Sequence, residues 1–157
     1  MRLSDLSIRN SGGGDYSIGV YNAGATYDIT RIDVEAWGGG ANVAGTCGNC
    51  GIYNSGGSHA RITDSRLAAA GRYAYGVYNT GSSPTLNRVK LEGWVDEGLA
   101  CCSAFGIGSF NSSHPHIRYS ELFGASYALQ QSGGTANVNF SVFTTPDSVD
   151  SGGGAIL

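Results

Sequence analysis

Two glutamates, Glu35 and Glu92, each stand two positions before a tryptophan, Trp37 and Trp94. If the chain brings them onto one face two strands apart, they are separated by roughly 9.6 Å, twice the ~4.8 Å strand spacing. That is compatible with an inverting glycosidase, in which one carboxylic acid protonates the leaving oxygen while the other carboxylate activates water. Three further acids, Asp33, Asp64 and Glu121, invite comparison with a calcium site, which needs several oxygens converging on one point. They alternate along the chain with Arg31, Arg66, Arg88 and Lys90, so each acid has a basic neighbour, and paired surface charge is the expectation. No cofactor is expected.

The four cysteines fall in two segments, Cys47-x-x-Cys50 and Cys101-Cys102. Four thiolates together would make a zinc site, but adjacent cysteines rarely both ligate one ion. Free thiols or disulfides, including disulfides between the two segments, rank above zinc. His59, His114 and His116 sit in Gly/Ser/Pro-rich stretches without an accompanying carboxylate, which favours solvated turn residues over metal ligands. No phosphate loop, nucleophile elbow or helix-borne metal motif is present.

What must position these residues is a repeat. The pattern apolar-x-x-(apolar or Ser)-x-apolar occurs as Leu3-Leu6-Ile8, Ile29-Ile32-Val34, Ile62-Ser65-Leu67, Leu86-Val89-Leu91, Ile117-Ser120-Leu122 and Val138-Ser141-Phe143. Between these copies runs a second motif: Gly19-Val20-Tyr21-Asn22, Gly51-Ile52-Tyr53-Asn54 and Gly76-Val77-Tyr78-Asn79. It recurs more loosely as Gly108-Ser109-Phe110-Asn111 and Ala128-Leu129-Gln130-Gln131. Units this short cannot bury their apolar face alone and must stack as coils. The expectation is all-β: one right-handed parallel β-helix, a solenoid of five to six coils over residues 1–157, about 29 Å tall at ~4.8 Å per coil. Gly is 26 of 157 residues and charged residues are 13%, which suits short strands with tight turns.

The columns such a stack would create support the register. The third motif position reads Asp5, Arg31, Asp64, Arg88, Tyr119, Phe140, alternating in sign and then turning aromatic, as adjacent strands require. Long excursions follow Trp37 and Trp94, which lie as far apart as Asn22 and Asn79. This suggests a two-coil super-repeat whose loops project on one side. Tyr21, Tyr53, Tyr78 and Phe110 precede the turn asparagines and should form an outward aromatic ladder. It either binds sugar rings or a protein face, or stabilises the sheet through ring contacts.

The stretch from Gly76 to Leu91 resembles the consensus coil of right-handed parallel β-helix repeat proteins, the pectin-lyase-like superfamily, and the likeness extends from Leu3 to Phe143. The resemblance implies a fold shared by polysaccharide lyases, glycoside hydrolases, tailspikes and adhesins, and an extracellular or surface location if the chain is part of a longer protein. It also implies an inward ladder of turn asparagines, matched here by Asn22, Asn54, Asn79 and Asn111, with Gln131 departing from it. The expected role is a non-catalytic structural or binding module that takes a polysaccharide or protein surface through Tyr21, Tyr53, Tyr78, Phe110, Trp37 and Trp94. The alternatives are a lyase or hydrolase acting through Glu35 and Glu92, and a self-assembly module.

The net charge of -3 argues against nucleic acid as partner. No apolar run suggests a signal peptide or membrane insertion in this chain. The first repeat begins at Leu3 and the residues around Ala155 read as the opening of another coil, so the expectation is that uncapped ends lead to a homo-oligomer.

Overall fold

A computed structural model describes residues 1–40, 47–95, 103–144, 147–150 and 155–156, the last two segments as backbone. The described residues form strands and turns with no helix, and every strand pairing is parallel. Strands β1 (Arg2–Asn10) and β2 (Ser17–Ala23) make the first coil, and β3 (Thr26–Trp37) and β4 (Asn49–Ser55) the second. The third holds β5 (His59–Thr63), β6 (Arg66–Ala70) and β7 (Ala74–Thr80). The fourth holds β8 (Thr85–Asn87), β9 (Lys90–Trp94) and β10 (Ala104–Ser113). Strands β11 (His116–Arg118) and β12 (Glu121–Gly124) with the first half of β13 (Tyr127–Asn139) form the fifth. The sixth is the rest of β13 with β14 (Val142–Thr144) and β15 (Asp147–Asp150). Strand β16 (Ala155–Ile156) then pairs with Thr135 and Ala136, opening a further coil. The molecule is a parallel β-helix.

Three faces result. The first carries the start of β1 and β3, then β5, β8, β11 and the end of β13. The second carries the remainder of β1 and β3, then β6, β9, β12 and β14. The third carries β2, β4, β7, β10, the start of β13 and β15. The six-residue repeat stacks in the expected register, as in Ile29↔Ile62↔Leu86↔Ile117 and Val34↔Leu67↔Leu91↔Leu122. All eight of these side chains are fully buried in one continuous core.

The corner between the first and second faces explains the repeat. Its third position adopts a left-handed backbone in all six copies, with φ between 50° and 59° at Asp5, Arg31, Asp64, Arg88, Tyr119 and Phe140. A single residue in this region turns the strand sharply, at a cost for any side chain other than Gly. The column offsets that cost in pairs. Arg31 grips Asp5 through two bonds of 2.7 and 2.8 Å, Arg88 grips Asp64 at 2.6 and 3.0 Å, and Tyr119 stacks on Phe140 at 5.3 Å. The next position accepts Ser because its hydroxyl repairs the ladder where the corner breaks it. Ser65 Oγ accepts the Ile32 N–H, Ser120 Oγ that of Val89, and Ser141 Oγ that of Ser120.

Opposite this corner the second and third faces converge until backbone meets backbone. A Cβ on Gly76 would stand 2.7 Å from the Gly106 carbonyl and 2.8 Å from that of Leu67, and one on Gly93 would stand 2.3 Å from the Phe105 carbonyl. The core therefore tapers to a seam there, and the two excursions leave the coil from this seam, after Trp37 and after Trp94.

Candidate functional site

The seam sets the place of both tryptophans. Trp37, Ala70 and Trp94 are neighbours in register across β3, β6 and β9, as are Glu35, Ala68 and Glu92. The middle coil supplies only alanines, Ala68 to Ala70, so a groove of about 280 Å³ opens between the indoles, with Glu35 and Arg66 at one end. Both indoles are partly exposed, Trp37 at 37% and Trp94 at 45%, and Trp94 is braced by Phe123 with ring centres 4.1 Å apart.

The two glutamates are joined by a third residue. Arg66 Nη1 donates to Glu35 Oε1 at 2.6 Å and to Asp33 Oδ1 at 3.0 Å, while its Nε donates to Glu92 Oε2 at 2.6 Å. Lys90 completes the set at 3.0 Å from Glu92, and Arg9 lies 3.3 Å from Glu35. The bond from Arg66 holds the Glu35 carboxyl below its ordinary value, although partial burial works the other way. Burial opposes the Arg66 charge, but Glu35, Glu92 and Asp33 together outweigh it and raise its pKa. A glycosidase acid needs the reverse shift, a carboxyl that keeps its proton near neutrality.

The third face carries the aromatic ladder. Tyr21, Tyr53 and Tyr78 stack at 5.2 and 5.1 Å and point away from the core that holds Val20, Ile52 and Val77. The fourth rung is a correction. Gly108, not Phe110, pairs with Tyr78, and Phe110 lies two residues further along, opposite Thr80. Its ring nevertheless reaches Tyr78 at 4.9 Å, leaning back over Gly108, where a Cβ would stand 2.8 Å from Phe110 Cε2 and 2.5 Å from Tyr75 Cε1. Gly108 thus vacates the space into which two rings fold.

The same displacement corrects the asparagine ladder. Asn22 donates to Asn54, Asn54 to Asn79 at 2.9 Å, and Asn79 to Ser109, not to Asn111. Asn111 is exposed in a left-handed turn and donates to Thr80 Oγ1. Gln131 occupies the ladder place in the fifth coil, where its amide donates to the Ser113 and Gly133 carbonyls and its Oε1 has no partner among the described residues.

A second ladder lies beside the first. Tyr75 stacks on Phe105 at 4.7 Å and Phe105 on Tyr127 at 6.0 Å, and the edge of Tyr75 meets Tyr78. With Tyr53, Tyr75 and Phe110 packed around it, Tyr78 is only 5% exposed, and burial raises its phenol pKa to about 12. Tyr21 is left 63% exposed at the open end of its ladder. The signal for the second ladder is the recurring apolar-Gly-apolar step Cys50-Gly51-Ile52, Tyr75-Gly76-Val77, Phe105-Gly106-Ile107, which also gives the true fourth register.

The sulfurs of Cys47 and Cys50 are joined to each other across three residues, so neither of them links the two excursions. Cys101 and Cys102 lie outside the described residues. His59, His114 and His116 are exposed, and His114 Nδ1 accepts the Thr135 N–H. No cluster of three or more metal-ligating side chains occurs among the described residues. No protein-family model, curated protein or solved structure matches the chain.

Proposed function

We propose that the chain is a non-catalytic carbohydrate-binding module built on a β-helix of the pectin-lyase-like kind. The observation that carries this reading is the alanine-floored groove between Trp37 and Trp94. Exposed indoles flanking a shallow apolar floor offer flat faces to the C–H side of a pyranose, while the charged end supplies partners for hydroxyls. The hydrogen bond from Arg66 to Glu35 favours binding over hydrolysis, because it keeps that carboxylate charged where a glycosidase acid would have to donate a proton. On a glycan array the protein should retain a subset of oligosaccharides, and Trp37→Ala or Trp94→Ala should each weaken retention about ten-fold. Retention unchanged in both variants would refute the groove. Cleavage of a retained glycan that is lost in Glu35→Gln or Glu92→Gln would make the chain a hydrolase or lyase.

Self-association is a second reading, favoured by the first coil. Leu6 is 45% exposed and Leu3, Ile8 and Val20 are only partly buried, whereas their partners Ile29, Ile32, Val34 and Ile52 are exposed by 3% or less. A second copy covering that edge would bury the row. Sedimentation at micromolar concentration should show more than monomer, and Leu6→Lys should shift it toward monomer. A strictly monomeric wild type would contradict this.

A further inference from the structure

Positive charge on this molecule is mostly spoken for. Arg9, Arg31, Arg66, Arg88 and Lys90 each sit in an ion pair. Arg61 and Arg118 have neither an ion pair nor a side-chain hydrogen bond among the described residues, and both are exposed. They stand on the outside of the first face, where Ile62, Leu86 and Ile117 point into the core and the residues on either side of each point out.

The register makes a grid of three coils by two columns. Arg61, Thr85 and His116 form one column, and Thr63, Asn87 and Arg118 the other. The guanidiniums therefore start from opposite corners, two coils and two residues apart, on the order of 12 Å on the diagonal. The grid floors a cavity of about 500 Å³, with Arg88 and Tyr119 at its edge and no carboxylate in its lining. Two acids border the grid: Asp28, one coil below in register with Arg61, makes no ion pair with it among the described residues, and Asp64, at the corner after Thr63, is held by Arg88. On a chain of net charge -3 this is a local site of opposite sign.

We propose that this face binds a glycan chain whose acidic groups are spaced, with an uncharged sugar between them. Each guanidinium offers a planar fork to a carboxylate or sulfate. Between the forks lie only hydroxyl, amide and imidazole groups, which match sugar hydroxyls, and the Tyr119–Phe140 stack at the corner presents an exposed ring to a pyranose face. A nucleic-acid backbone carries charge far more densely than two guanidiniums can answer. This site is separate from the tryptophan groove and does not depend on it.

The test is titration calorimetry with hyaluronan oligosaccharides, which bear carboxylates on alternate sugars, with κ-carrageenan oligosaccharides, which bear sulfates on alternate sugars, and with polygalacturonate, single-stranded DNA and neutral dextran. At least one of the first two should bind in a salt-dependent manner and dextran should not. Tighter binding of κ-carrageenan identifies sulfate as the recognised group, and equal or tighter binding of hyaluronan identifies carboxylate. The double variant Arg61→Gln with Arg118→Gln should bind about ten-fold more weakly and lose most of the salt dependence. Arg72→Gln, which removes one charge elsewhere, should bind like wild type. The proposal is overturned if neither spaced glycan binds, if the double variant binds like wild type, or if polygalacturonate or single-stranded DNA binds more tightly than both.

Discussion

Asn54 ties three buried polar groups together inside the coil. Fully buried, it accepts bonds from Asn22 and from the Tyr27 hydroxyl, and it donates to Asn79. Removing it leaves several buried partners without water or protein to bond, at about 1–3 kcal/mol for each stranded group. Asn54→Ala should therefore lose about 3 kcal/mol or more in urea unfolding. Asn111 carries the same residue type in the matching sequence motif, but it is exposed with φ of 51°, a conformation Gly adopts freely. Asn111→Gly should change stability by no more than about 0.5 kcal/mol. Equal costs at the two positions would contradict the register of the fourth coil. That register was the point at which the sequence misled, because Gly106 and Gly108 both fit the glycine of the motif and Phe110-Asn111 imitates Tyr78-Asn79. The place of Glu35 opposite Glu92 was legible from the spacing alone. The reach of Arg66 to both was not, since it depends on the rotamer of a long side chain across an alanine gap.

The corner and the seam are the two elements that make a coil of this sequence close. At the seam, Gly93→Ala would push a methyl group into the Phe105 backbone, which cannot swing aside as a side chain can. It should cost about 3 kcal/mol, at the upper end for overpacking, whereas Gly13→Ala, with nothing within 4 Å, should be nearly neutral. At the corner, the bonds from Arg31 and Arg88 hold the Asp5 and Asp64 carboxyls below their ordinary value, and Arg66 does the same to Glu35 on the adjoining face. A carboxylate whose folded pKa is depressed contributes stability that is fully present above its unfolded value, about 4, and is lost as pH falls through the folded value. The urea midpoint should stay level from pH 7 to about pH 5 and fall below about pH 4, and Asp5→Asn with Asp64→Asn should shallow that fall. A midpoint unchanged down to pH 3 would mean the column is solvated charge with no share in stability. The alternating column announced this pairing in the sequence. The left-handed turn beneath it did not show, because Arg, Tyr and Phe, which fill four of the six places, are not residues that signal positive φ.

At the scale of the whole molecule, the three faces divide the surface by chemistry. The first is polar with unpaired guanidiniums, the second is an ion-paired sheet ending in the tryptophan groove, and the third is covered by aromatic rings. The solenoid and the register of the six-residue repeat could be read from a repeat that stacks like on like, since each of those columns is a direct consequence of period. Where a groove opens could not, because it arises from what neighbouring coils lack, here the three alanines between two tryptophans.

The chain has only two tryptophans and both flank that groove, so its indole fluorescence reports on the site and on nothing else. The most direct measurement is the time course of that fluorescence after mixing the protein with a neutral oligosaccharide it retains, which the arginine face would not hold. Binding without turnover predicts a saturable change that holds steady while the oligosaccharide stays intact. No change would contradict the groove as the binding site, and a change that decays as the oligosaccharide is cut would contradict the absence of catalysis.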